Sequence, residues 1–388
     1  MDQLVHVGCK DREIRPDWRW SGSMSEKTGE ARCAQVRILP ILALALFAFS
    51  SVEAAALEPV RPGQEGAIIR AVFVDKTLWT LSDAGEIFRI SEAKHKLVKV
   101  PTEDPALDLW IKDGVPTIIT SSRGDDVPLT IRRWTGEEFR ALAGISTKQE
   151  RLLGVSSSGE PATILTTRRV MEVVGNTIRP RDVDWPRTRP ILGVASILAR
   201  KDDVLLGINS GEWGGGLARV DRRTGRVSYI ESRTRELCGG ALNGDCDPVN
   251  GIVPSPWNKD CVVIAIGLVH FLAHGRIDEV CGERVRELYS KGYYVKGLPL
   301  PATQGDKPAA TVAFFGLASV RGQVLAVGLD GLYRLSEDGA ALLTPLPEFE
   351  KVGNIRVSFA LQDVVLLLTE VNERRSISGS VPMLVPRN

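Results

Sequence analysis

The chain has 388 residues, of which 43 % are hydrophobic and 25 % charged, and its formal net charge is +1. That balance excludes a disordered chain and supplies enough apolar side chain for a sizeable core. No basic block interrupts the sequence, so nucleic acid is excluded as a partner class for want of any electrostatic footing.

Residues 1–56 read as a leader. Arg32 and Arg37 precede the apolar run Ile38 to Phe49, which is followed by Ser50, Ser51 and the small residues Ala54, Ala55 and Ala56. This is the pattern of a secretory signal peptide, and its apolar run is short for a bilayer span. The competing reading is an uncleaved anchor, against which the Ala-x-Ala cleavage pattern argues. The stretch before the run is long for such a leader, and a start at Met24 gives a normal basic one. Cys33 lies ahead of the apolar core, the wrong side for a lipid-anchored cysteine. The expected location is therefore periplasmic or secreted, with no membrane span once the signal is cleaved.

Residues 57–388 form the second region. A Pro- and Gly-rich lead-in over 57–66 gives way to a repeat. In chain order its copies are Arg70 to Val74, Leu107 to Ile111, Leu153 to Ser157, Leu192 to Ser196, Asn250 to Ser255, Phe315 to Ser319 and Arg356 to Ala360. Four of them share a glycine, a branched apolar residue and then a serine. A second motif follows within the units: Gly85 to Ile90, Gly216 to Asp221, Gly267 to Leu272 and Gly331 to Leu335. The intervals run from about 38 to 65 residues, the length of one four-stranded blade plus variable loops.

Each unit reads as four short strands with no convincing helix. In the sixth they fall near Phe315 to Val320, Val324 to Val327, Leu332 to Leu335 and Ala341 to Leu343. Four such strands cannot close a core alone, whereas sheets packed face to face around an axis bury one another. The expected fold is all-β, a single seven-bladed β-propeller of four-stranded antiparallel blades, with six or eight blades as the alternative counts. Gly154, Gly193, Gly251 and Gly316 then fall on innermost strands, where crowding at the axis leaves no room for a side chain.

Leu78-Trp79-Thr80-Leu81-Ser82-Asp83-Ala84-Gly85-Glu86-Ile87-Phe88-Arg89 and Gly331-Leu332-Tyr333-Arg334-Leu335 resemble the blades of sensor-type, two-component-regulator-like β-propellers. In those blades a Leu-Trp strand precedes a Gly-Leu-x-Arg strand. The resemblance extends over most of the chain as a period, through a few residues per unit, and it implies the propeller fold.

Four cysteines follow the leader: Cys238, Cys246, Cys261 and Cys281. An even number in an exported chain points to disulfides, and the spacings lack the close pairs of zinc ribbons. Cys238 and Cys246 enclose a Gly-rich loop and pair easily. Cys261 opens the second strand of unit five and Cys281 closes the fourth, which sets them at opposite ends of a sheet. A 261–281 bond and a 246–281 bond remain the rival pairings.

In a propeller the turns between second and third strands share one face with the connections between blades, and loops on a rigid scaffold carry function. The long connections collect there. Asn209, Glu212 and Trp213 lie in one turn, Asp245 and Asp247 in the connection Glu231 to Val249, and Tyr289, Tyr293 and Tyr294 in the connection Gly282 to Ala310. Ser121 to Asp126 is the corresponding turn of unit two. Aromatic and charged residues on long loops fit recognition of a protein or polymer ligand, and these eight are the expected binding residues of a monomer. The alternative is a metal-dependent hydrolase or lactonase of the propeller type, with Glu212, Asp245 and Asp247 holding a divalent ion.

Catalytic signals are otherwise poor. No Gly-x-Ser-x-Gly elbow occurs, Asp125-Asp126 lacks calcium-loop spacing, and no motif calls for a cofactor. His270 and His274 stand four apart, but the repeat sets His270 at the position of Arg334 and Arg219, and His274 in the following turn, so neither is expected as a metal ligand.

Overall fold

A computed structural model describes residues 67–91, 96–122, 128–146, 150–157, 161–186, 193–236, 238–270, 272–294, 310–347, 354–361, 364–371 and 376–385. The leader 1–56, the lead-in 57–66 and the unit-two residues Arg123 to Asp126 lie outside the described residues. What is described belongs to one compact unit, Pro40–Asn388.

Strand formation follows from the short apolar runs. Along Val262–Val269, residues Val263 and Ala265 face one neighbouring sheet while Val262, Ile264 and Ile266 face the other. Period-2 alternation with both faces buried leaves no polar position, hence the unbroken apolar run.

The chain is a seven-bladed β-propeller. Six antiparallel sheets of four strands follow one another, and a seventh has three strands among the described residues. Blade 1 is Ile68–Val74, Thr77–Ser82, Ile87–Ser91 and Leu97–Val100, and blade 2 is Ala106–Lys112, Val115–Ser121, Leu129–Trp134 and Phe139–Ile145. Blade 4 is Val194–Ala199, Asp203–Asn209, Gly215–Asp221 and Val227–Ile230. Blade 5 is Val249–Pro254, Val262–Val269, Ala273–Cys281 and Arg284–Tyr289. Blade 6 is Phe314–Val320, Gln323–Gly328, Gly331–Ser336 and Gly339–Pro345, and blade 7 is Asn354–Leu361, Val364–Val371 and Ser376–Leu384.

One apolar layer fills each boundary. Trp79 and Leu81 of blade 1 meet Leu109 and Phe139 of blade 2. Ile277 and Val263 of blade 5 meet Phe314 and Tyr333 of blade 6, and Val365 and Leu367 of blade 7 meet Leu325 and Leu332 of blade 6. The ring closes where Val364, Leu366 and Leu368 of blade 7 pack on Ile68 and Ile69 of blade 1. Trp79 rests edge-on against Trp134, 4.8 Å between ring centroids, so the tryptophan of the sensor-like motif is a wedge between two blades.

The glycine and serine of the first-strand repeat each have a physical role. The serines stitch neighbouring inner strands together: Ser156 Oγ accepts from the Ala199 amide at 3.0 Å and Ser196 Oγ from the Ile252 amide at 3.1 Å. A Cβ at Gly251 would lie 2.5 Å from the Leu317 amide nitrogen on blade 6. The crowding thus comes from the adjacent blade. Gly251→Ala is expected to lower stability by about 1–3 kcal/mol through overpacking, measured by urea denaturation; an unchanged midpoint would mean that the two inner strands have room to separate.

Blade 5 corrects two expectations. Its second strand contains Gly267 and its third contains Gly275, opposite one another, so the Gly267 motif belongs one strand earlier than the repeat suggested. His270 therefore sits in the turn between them and His274 on the third strand. Cys281 closes the third strand, beside Cys261, and the two form a disulfide with Cα atoms 4.4 Å apart. The separation expected across the sheet is replaced by adjacency, because Val262 pairs with Val280 next to them.

Candidate functional site

On the face that carries the turns between second and third strands, the boundary of blades 4 and 5 is the most elaborated. Between the second and third strands of blade 4, Gly211–Trp213 makes a single 3-10 turn. Asn209 Oδ1 accepts from the Gly211 amide at 2.8 Å, and the Ser210 amide donates to the Gly214 carbonyl at 2.9 Å. Gly214 has φ +83°, and a Cβ there would lie 2.5 Å from the Gly244 carbonyl oxygen, so glycine is required where the turn backs onto the next connection. The Gly215 amide donates to that same carbonyl at 2.8 Å. On this pinned base the Trp213 side chain is 79 % exposed.

The connection from blade 4 to blade 5 is a clipped excursion. Ser232–Arg233 pairs with Gly240–Leu242, Leu242 is buried in the apolar layer between the two blades, and Cys238 is bonded to Cys246. The Asn243 carbonyl accepts from the amides of Cys246 and Asp247 at 2.9 and 2.8 Å, and Asn243 Oδ1 from that of Asp245 at 3.0 Å. The bond closes a loop of roughly nine residues, for which chain entropy gives about 2–3 kcal/mol. Changing Cys238 and Cys246 to serine is expected to cost that amount in urea denaturation and to raise hydrogen exchange across 238–247; undiminished protection there would show that the side-chain anchors suffice.

Those anchors converge on Arg276. Its Nη1 and Nη2 donate to Asp247 Oδ1 and Oδ2 at 3.0 and 2.7 Å, Nη2 to the Ala241 carbonyl at 2.6 Å, and Nε to Asp278 Oδ2 at 3.1 Å. His274 Nε2 lies 3.2 Å from Asp247 Oδ1. Asp247 is 2 % exposed and Asp278 fully buried, and Asp278 Oδ1 has no hydrogen-bond partner in the structure.

Environment drives the two carboxyls apart. Burial pushes Asp247 up, but hydrogen bonds from His274 and Arg276 outweigh it and hold the group below the usual carboxylate range. Burial pushes Asp278 up to about 7, because the downward pull of Arg276 is partly cancelled by the negative charges of Asp247 and Glu287.

Of the sequence-predicted residues, Asn209, Glu212, Trp213, Asp245 and Asp247 come together at this boundary. Asn209 Nδ2 donates to Asn250 Oδ1 at 2.6 Å, and Asn250 passes the contact on to the carbonyls of Gly267 and Phe314. Glu212 Oε2 lies 3.0 Å from His270 Nε2, and Arg233 pairs with Asp245 at 2.6 Å. Each of the three carboxylates of the metal alternative is thus engaged by its own cationic or histidine partners. One trio of metal-type side chains is close-set among the described residues, Cys261, Glu279 and Cys281. Its sulfurs are bonded to each other, and Glu279 accepts from Ser255, Trp257 and Arg286.

The tyrosines lie at the boundary of blades 5 and 6. Tyr289 belongs to the fourth strand of blade 5, since Arg284–Tyr289 is strand where a loop was expected, and it packs edge-on against Phe314. Tyr293 is half-buried on the same layer, and Tyr294 is exposed. Arg276 and Asp278 escaped the sequence reading, whereas Asn250 was read only as part of the first-strand repeat and His270 only as a discounted metal ligand. The signal for Arg276 and Asp278 was available in His274-x-Arg276-x-Asp278, three polar residues at period 2 along one strand.

No family model matches the chain, and no curated protein does. Solved structures show the fold. A computationally designed protein, Ika8, superposes with a TM-score of 0.51 at 14 % identity, over 80 % of this chain and 82 % of its own. The β-propeller domain of Myceliophteria thermophila Cps50 (Swd1) gives 0.50 at 9 % identity, over 83 % and 98 %. The extracellular domain of the B. thetaiotaomicron hybrid two component system BT4673 gives 0.49 at 12 % identity, over 81 % of this chain and 38 % of that one. At such identities the likeness to the first two is one of architecture.

Proposed function

We propose that this chain is an exported binding module that holds a protein or polymer ligand on the face built by the blade 4 turn and the blade 4–5 connection. The observation that carries the reading is Trp213: a large aromatic side chain, exposed, on a backbone fixed by hydrogen bonds on both sides. Folding leaves such a group in water only at a cost of about 1.5–3 kcal/mol relative to burial, and aromatic anchors of this kind dominate interfaces. Val269, ending the second strand of blade 5, and Leu272, in the turn after it, are exposed, and His270 between them meets Glu212, so their apolar surface adjoins the Trp213 turn.

Export is supported by the two disulfides, which form and persist in oxidising compartments, and by the signal-like leader. No helix among the described residues is long and apolar enough to cross a membrane. The test is retention from the secreted or periplasmic fraction on immobilised chain, followed by titration of the retained component; Trp213→Ala is expected to abolish retention, and equal retention by both forms overturns the reading.

A further inference from the structure

The segment Ala241 to Asp247 is fastened to blade 5 by Arg276, by His274 at Asp247 and by Leu242 in the apolar layer between the blades, and Arg276 in turn roofs Asp278. Asp278 projects toward blade 4 from the third strand of blade 5, into the layer containing Ile264, Ile266, Val280 and Leu242. The charged or titratable groups that face it are Arg276 on its own strand, Asp247 on the connection and Glu287 on the fourth strand; His274 reaches the cluster through Asp247 and lies 3.5 Å from Arg276 Nη1. Two carboxyls share one guanidinium, and one oxygen of the deeper carboxyl has no donor.

We propose that Ala241 to Asp247 is a proton-controlled latch, fastened while Asp278 keeps its proton and opened more readily once Asp278 ionises. Lifting the segment frees Arg276 and lets water reach Asp278. A hydrated aspartate titrates near its ordinary value of about 3.9, whereas the buried one is pushed up to about 7. Between those two values the closed form holds a proton that the open form has lost. Opening therefore becomes easier as pH rises across this window, by up to about tenfold per unit, and levels off above it. Asp247 acts in the opposite sense and in another range. Its depressed value stabilises the closed form above about pH 4 and withdraws that support only as pH falls further.

The latch carries the Gly244 carbonyl against which the Trp213 turn is seated, so the consequence for recognition rests on the proposed binding role. With that role, ligand affinity is highest on the acidic side of neutrality. The latch itself is measurable with no ligand present.

Hydrogen exchange of the Gly215 amide, which donates to the Gly244 carbonyl of the segment, read together with the segment's own Asn243, Cys246 and Asp247 amides and corrected for intrinsic rates, is the direct readout. The wild-type chain is expected to lose protection between pH 5 and 7 and to reach a plateau above, while amides of the blade 4 second and third strands other than Gly215, whose acceptor is the Gly244 carbonyl, stay unchanged. Asp278→Asn removes the slope, and His274→Gln keeps it. A flat wild-type profile overturns the proposal, as does a slope that survives Asp278→Asn or vanishes with His274→Gln. The side-chain carboxyl carbon of Asp278, followed by NMR in the wild-type chain, gives an independent reading should the asparagine variant fail to fold: a midpoint matching the exchange transition supports the latch, and a midpoint near 4 refutes it. A pH-dependent latch with pH-independent ligand affinity would leave the latch standing and remove its link to binding.

Discussion

Arg276→Met is expected to lower the unfolding free energy by about 3–5 kcal/mol at pH 7.5, because it strips the partner from a buried carboxylate pair. Asp247 loses two charge-assisted hydrogen bonds and Asp278 its one contact, in a layer otherwise lined by isoleucine, valine and leucine. Methionine fills much of the same volume, so the loss reports unpaired charge more than lost packing. Adding Asp247→Asn and Asp278→Leu to Arg276→Met is expected to restore most of the stability, since removing a buried ionic group entirely is far cheaper than breaking it. Urea denaturation of the two variants side by side decides the matter. Equal losses in both would mean that the cluster contributes through shape alone.

Trp213→Ala is expected to weaken ligand binding by at least about 2 kcal/mol, roughly thirtyfold, as truncation of a central aromatic anchor does. The same change is expected to move stability by no more than about 0.5 kcal/mol, the usual range for surface substitutions. The contrast carries the argument. A side chain 79 % exposed has little folding role to lose, so a large effect on binding with none on unfolding assigns it to recognition. Denaturation and titration on the same preparations measure both halves.

The sequence gives away the architecture where local chemistry and ring packing agree. Phe315 to Val320 and Val324 to Val327 are bounded by turns and filled with residues that two neighbouring blades must bury, and the observed strands fall on them within about two residues. Blade 5 misleads because Gly267 and Gly275 are both glycines at a crowded hairpin; either one satisfies the motif, and only cross-strand pairing shows which strand it begins. Cys281 inherited that error of one strand, while Cys261 opens the second strand as expected.

At the site, Glu212 and Trp213 were legible because a glycine-flanked aromatic in a turn has no core to enter. Tyr289 was assigned to a loop because the fourth strand was taken to end at Cys281; Arg284 to Tyr289 is instead the outermost strand, whose solvent face tolerates charge at alternate positions. Asp278 was invisible for the opposite reason: a carboxyl in the middle of a strand reads as a solvent-facing position until the adjacent blade is seen to cover it.

The claim that the blade 4–5 turns form the binding face is tested most directly by site-specific photo-crosslinking. A photoreactive side chain at Leu272, in the blade 5 turn whose His270 meets Glu212, is compared with one at Phe73, which is exposed near the first turn of blade 1 on the opposite face. With the retained ligand bound, crosslinking is expected at Leu272, competed by unlabelled wild-type chain and absent at Phe73. Crosslinking at Phe73 with none at Leu272 would contradict it.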